Sequence, residues 1–143
     1  MVENMMENLA GNIPHAGPMR WIHAAFAQQD NSISAKQYVP ADHPFLIHGR
    51  LPRSTIIEYI AQTAAAGGMA LVAENPTGQA VSGMLIAIRD VRFYGSVGAG
   101  DTLSLRVAVT HRMGNMFRCR GQAHCGATLI CEGWFSFCIR SGK

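Results

Sequence analysis

From Ser54 to about Glu74 the chain places apolar residues around almost the whole circumference of a helix: Ile56, Ile57, Ile60, Ala61, Ala64, Ala65, Met69, Leu71 and Val72. A helix on a protein surface shows an apolar stripe, whereas one that is apolar all round must be enclosed by something else. Arg53 or Ser54 opens it, with Ser54 a suitable N-cap, and Asn75-Pro76-Thr77-Gly78 ends it. Inside this apolar surface stands one carboxylate, Glu58. Such a group is costly to bury unless it is paired, protonated or functional.

The rest of the chain supplies the wrapping. Met19 to Ala27 reads as a first strand and Ile33 to Val39 as a second, alternating apolar and polar side chains. After the helix, Ala80 to Arg92 holds one or two strands. Thr102 to Thr110, Met116 to His124 and Leu129 to Ile139 follow, separated by turns at 97–101, at 113–115 and at Gly126. Links of hairpin length favour antiparallel pairing. One apolar helix among antiparallel strands is an α+β pattern, and 143 residues suit a single domain spanning 1–143.

At 48% apolar and 15% charged, the chain has more apolar surface than a small monomer usually buries, which points to an interface with another subunit. The net charge of +3 is spread over single Lys and Arg residues, among them Arg50, Arg53, Arg89 and Arg92. That excludes a nucleic-acid stripe but suits an acidic partner. The N-terminal residues lack the basic-then-apolar order of a signal peptide, and the helix is broken by Glu58, Gln62 and Gly67-Gly68. A cytoplasmic protein with no membrane span is expected. Cys119, Cys125, Cys131 and Cys138 fit no common zinc spacing and read as buried apolar thiols, so no metal or redox cofactor is expected.

Ahead of the helix lies a loop from Pro40 to Pro52 carrying His43 and His48. An imidazole beside a desolvated carboxyl is what acid–base chemistry requires. By themselves these residues have ordinary readings. Glu58 favours the first turns of a helix, and His43, between Asp42 and Pro44, suits a turn. His15, His23, His111 and His124 read as structural or surface groups.

Four segments in order resemble the hot-dog 3-hydroxyacyl-thioester dehydratases, in particular the FabZ type and the hot-dog dehydratases of aryl polyene clusters. I-P-H-A-G-P-M-R-W at 13–21 is similar to the family's opening I/L-P-H-R-x-P-F-L. I-I-E-Y-I-A-Q at 56–62 is similar to I-I-E-A-M-A-Q. V-R-F-Y-G-S-V-G-A-G-D at 91–101 is similar to A-R-F-x-x-P-V-x-P-G-D, and 121–132 corresponds to the closing hairpin. The loop departs from the pattern: G-R-L-P-R-S at 49–54 replaces the FabZ-type G-H-F-P-G-x-P-x-x-P-G. Matching Pro44-Phe45-Leu46 locally puts the catalytic histidine near His48. Counting back from Glu58, and the aryl-polyene relatives' H-P-L and G-R-L-P, favour His43.

The resemblance implies a hot-dog fold, an antiparallel sheet wrapped around one long central helix. It also implies dehydration of a 3-hydroxyacyl thioester, on acyl carrier protein or coenzyme A, with His43 (or His48) and Glu58 as catalytic groups. Helix-start amides between Ser54 and Ile57, including Thr55, would meet the thioester oxygen. Gln62, one turn after Glu58, would orient the carboxyl, and Phe93 would line the acyl tunnel. In such a dimer, homomeric or with another hot-dog subunit, histidine and carboxylate come from different chains. The same frame serves acyl-thioester hydrolases and non-catalytic acyl-binding partner subunits.

Overall fold

A computed structural model describes residues 25–27, 32–72 and 81–141. Its elements are β1 (Ala25–Ala27), β2 (Ser32–Tyr38), α1 (Arg53–Val72), β3 (Val81–Phe93), β4 (Thr102–Met113), β5 (Met116–Cys125) and β6 (Thr128–Ser141). The strands form one antiparallel sheet in the order β1-β2-β4-β5-β6-β3, with β1 and β3 at its edges. The chain has the expected hot-dog arrangement. Ala80 to Arg92 resolves into one strand, kinked where the register slips between Leu85 and Ala87 and again between Arg89 and Arg92. The expected first strand before Ala25, the helix end beyond Val72, His15, His23 and the motif at 13–21 lie outside the described residues.

Alternation along the strands explains the wrapping. Leu103, Leu105 and Val107 of β4, Phe117, Cys119 and Ala123 of β5, and Cys131, Phe135 and Phe137 of β6 point at the helix and are buried. From the helix, Ile56, Tyr59, Ile60 and Ala64 meet them. Cys119 and Cys131 are thus core residues. Burial pushes their thiols up to about 12 and about 11, which makes them poor nucleophiles near neutrality. No described helix is long and apolar enough to cross a membrane.

Helix and sheet approach closely at Gly121 of β5. A Cβ there would lie 2.5 Å from Ile60 Cγ2 and 2.9 Å from the Phe135 ring. Both neighbours are themselves buried, so neither can swing aside. Gly121→Ala is therefore expected to lower stability by about 1–3 kcal/mol, the usual cost of overpacking a core. The readout is a lower urea midpoint at unchanged slope; an unchanged midpoint would mean the helix has room to lift. The surroundings of Gly67 and Gly68, where the sequence also pointed to close approach, lie outside the described residues.

Candidate active site

The loop ahead of α1 is fixed from behind by the turn after β3. Leu51 N–H donates to Val97 O at 2.8 Å, Ala99 N–H to Gly49 O at 3.0 Å, and Val39 N–H to Asp101 O at 2.9 Å. Asp101 in turn accepts from Gly98 N–H at 2.9 Å, and Arg50 donates to Ser96 Oγ at 2.8 Å. A Cβ on Gly98 would stand 2.8 Å from Gly49 O, so only glycine lets the two segments pack. The similarity at 91–101 thus has a mechanical meaning: this segment is the backing of the histidine loop.

Within the loop the two histidines differ sharply. Ile47 and Arg50 exchange backbone hydrogen bonds of 2.8 and 3.0 Å, with His48 and Gly49 between them at φ 50° and 75°. That is a two-residue turn with both central residues left-handed, the type I′ geometry. His48 sits exposed at its tip. His43, in contrast, joins two turns, its N–H donating to Pro40 O at 3.1 Å and its carbonyl accepting from Leu46 N–H at 3.2 Å. This directs its half-buried ring onto the helix, where Nε2 lies 2.9 Å from the Tyr59 hydroxyl. The two rings pack at 6.2 Å between centroids.

Burial lowers the His43 pKa from its ordinary value, and the nearby Asp42 carboxylate offsets part of that shift. Tyr59 is fully buried and burial pushes its hydroxyl up to about 12. Sequence reasoning did not select Tyr59. The available signal was its position one residue after Glu58 inside I-I-E-Y-I-A-Q.

Glu58 is half-buried, and the Gln62 side-chain amide donates to its Oε1 at 3.2 Å. The i, i+4 spacing puts both groups on one helix face. Gln62 itself is completely buried, so the carboxyl hangs from a fixed donor.

The helix start corrects one expectation. Thr55 and Ile56 N–H both turn to Pro52 O, at 3.0 and 3.4 Å. Pro52 is therefore the N-cap, and Ser54, expected in that role, lies exposed in the first turn. The amides of Thr55 and Ile56 are occupied. Those of Arg53 and Ser54 have no backbone acceptor among the described residues, so the open donors lie at the very first helical positions. Thr55 is buried. Phe93, half-buried, lies under the Arg53 guanidinium at 5.0 Å.

The loop and the first turns of α1 thus carry an imidazole of lowered basicity, a carboxyl on a fixed amide and open amides at the positive end of the helix. Groups of these kinds are the ones that move protons and stabilise charge on oxygen.

The chain is similar to several known proteins. Residues 7–136 match the family described as ApeP-like, the ApeP dehydratases. The chain is 31% identical over 121 residues to a 3-hydroxyacyl-[acyl-carrier-protein] dehydratase FabZ of Ehrlichia chaffeensis, covering 84% of each. Among solved structures it is similar to a chain of the dehydratase heterocomplex ApeI:P from Xenorhabdus doucetiae. That match has a TM-score of 0.80 at 23% identity over 94% of this chain and 92% of that one. It is also similar to the fluoroacetyl-CoA thioesterase FlK, with a TM-score of 0.65 at 14% identity over 80% and 88%.

Proposed function

The chain belongs to the ApeP-like dehydratases, hot-dog enzymes related to FabZ, and from that premise we propose that it removes water from a carrier-bound 3-hydroxyacyl thioester to give the trans-2-enoyl thioester. The observation that carries the reading is the 2.9 Å contact between His43 and Tyr59. It fixes the loop histidine of one subunit in place, to face the Glu58 that a second subunit brings.

In the proposed reaction His43 takes the C2 proton. The C2–H electron pair becomes the C2=C3 bond as the C3–O bond breaks. Glu58 gives the departing hydroxyl a proton, so that it leaves as water, and the His43 proton later restores the pair. Charge that builds on the thioester oxygen is met by the Arg53 and Ser54 amides, which cost no reorganisation because the helix already aims them. Phe93 lies where an acyl chain would pass. Gln62 acts on the carboxyl from its buried position. His48 serves the geometry of the loop tip.

A second subunit is part of this reading. β3 is an edge strand of 13 residues with Met84, Ile86 and Ile88 exposed. A long apolar edge is a template for another strand. A second hot-dog chain pairing there, either a copy or a different subunit, would bring its own histidine loop toward Glu58, as the family resemblance implies. The ApeI:P neighbour is by its name a heterocomplex. The place of action is the cytoplasm, and the mildly basic chain suits an acidic acyl carrier protein.

One assay pair decides the reaction. With a 3-hydroxyacyl carrier thioester, enoyl absorbance is expected to rise while free thiol stays at background. Thiol release without enoyl would make the chain a thioesterase. Activity that appears only on adding another hot-dog subunit would assign it a partner's role.

A further inference from the structure

We propose that the outer face of the β4–β5 hairpin is a second binding site, for a medium-chain fatty-acid anion: His111, Arg118 and Ser136 take its carboxylate, and Met113 and Met116 its hydrocarbon tail. The site is independent of the reaction proposed above. It is a cavity of about 280 Å³ at the hairpin end, lined by these residues and by Arg112. The cavity lies at the far end of β4 from the backing of the histidine loop. At about 3.3 Å per residue that is roughly 30 Å away, apart from His43 and Glu58.

Strand register builds the site. Leu103, Leu105 and Val107 alternate inward along β4, and uninterrupted alternation would turn residue 111 inward as well. The register slips between Val109 and His111. Val109 pairs with the buried Cys119, whereas His111 pairs with Arg118. The extra residue thus sends His111 to the outer face, the re-aiming that a bulge produces. Arg118 pairs in turn with Ser136 of β6. Imidazole, guanidinium and hydroxyl therefore form one row across three strands, with neighbouring Cβ atoms about 4.5–5.5 Å apart. Two residues along the hairpin, on the same face, Met113 pairs with Met116. A polar row and an apolar pair about 7 Å apart match a head group and the start of a chain.

The charge balance selects the head group. Arg120, two residues from Arg118, is neutralised by Glu132. Arg118 instead stacks on the Trp134 ring, 4.2 Å from its centroid. It has no ion-pair partner among the described residues, and none of the described residues lining the cavity carries a carboxylate. The stack holds the guanidinium in place and leaves its N–H edge to donate. Arg112, whose Nε donates to Gly114 O at 3.5 Å, adds a second cation. Guanidinium groups beside a hydroxyl suit a carboxylate. The tail has its own partners: Met113 is 82% exposed and Met116 47%, adaptable apolar groups that lack a cover within the chain. At roughly 30 Å³ for each water-sized group, the cavity takes about nine non-hydrogen atoms, close to octanoate. That is far less than the surface a protein partner covers.

The test is a titration of the full chain, labelled with 13C in its methionine methyl groups, with sodium octanoate. The Met113 and Met116 signals are identified by their loss in Met113→Leu and Met116→Leu. Both are expected to shift saturably. 1-Octanol, which lacks the charge, and acetate, which lacks the chain, are each expected to bind there about tenfold more weakly or worse. Arg118→Gln is expected to weaken octanoate about tenfold or more, the loss of one contact to a charged group. His111→Gln, at an exposed position, is expected to weaken it in the same sense and serves if the Arg118 variant misfolds. Absence of a saturable shift at Met113 and Met116 would overturn the proposal. So would an equal response to octanol, which would leave only an apolar surface, or to acetate, which would leave an adventitious ion only. Octanoate affinity unchanged in the folded Arg118 or His111 variant would overturn it too. Met113 and Met116 signals that change with protein concentration and ignore octanoate would assign the face to contact between copies of this chain instead.

Discussion

Glu58→Gln is expected to lower dehydration turnover by about 10²–10⁴-fold, the range general acid–base groups contribute, with little change in folding stability. The substitution is close to isosteric. An amide at 58 can still accept from Gln62, whose Nε2 donates to Oε1 in the native site, so the helix face keeps its shape. What is lost is a proton that can be transferred to the departing hydroxyl. The measurement is enoyl formation under saturating substrate, with the thermal midpoint as a control on folding. Turnover near the wild-type value in a folded variant would remove Glu58 from the chemistry and return it to the ordinary role of an acid in the first turns of a helix.

His43→Ala is expected to cost a similar factor, about 10²–10⁴-fold, as the loss of a general base does. The same residue sets the wild-type pH profile. Only neutral imidazole can take the C2 proton, and burial lowers the His43 pKa more than Asp42 raises it. The base form therefore survives to lower pH than that of an ordinary histidine. The acid limb of kcat/KM is expected below the usual 6.5 and absent from the residual activity of His43→Ala. A limb at or above 6.5, or one that persists in the variant, would assign it to another group. His48→Ala, at an exposed turn tip, is expected to leave the limb in place.

How much of this could be read from the amino acids depends on the range of the interactions. β4 and β5 were legible because alternation is a local property, and Leu103, Leu105 and Val107 face inward as their spacing requires. The pairing of Gln62 with Glu58 was equally legible, since four residues on a helix make neighbours. The Tyr59–His43 contact was not, because it joins residues 16 apart through a loop whose turns depend on the backing at 97–101. Ser54 misled as a cap because Leu51 is already tied to Val97, which leaves the Pro52 carbonyl to accept the first helical bonds. The turn at His48-Gly49 lacks the usual Asn-Gly or Asp-Gly signal, so its left-handed geometry was not legible in the sequence.

The most direct test of a reversible elimination at C2 and C3 is to run it backward in D2O. Given the trans-2-enoyl thioester, the enzyme is expected to form the 3-hydroxyacyl thioester with one non-exchangeable deuterium, placed at C2 by His43, as seen by mass spectrometry of the isolated product. Neither Glu58→Gln nor His43→Ala is expected to form it at a comparable rate. Consumption of the thioester with no deuterium at C2, or labelling that proceeds at the wild-type rate in both variants, would contradict the account.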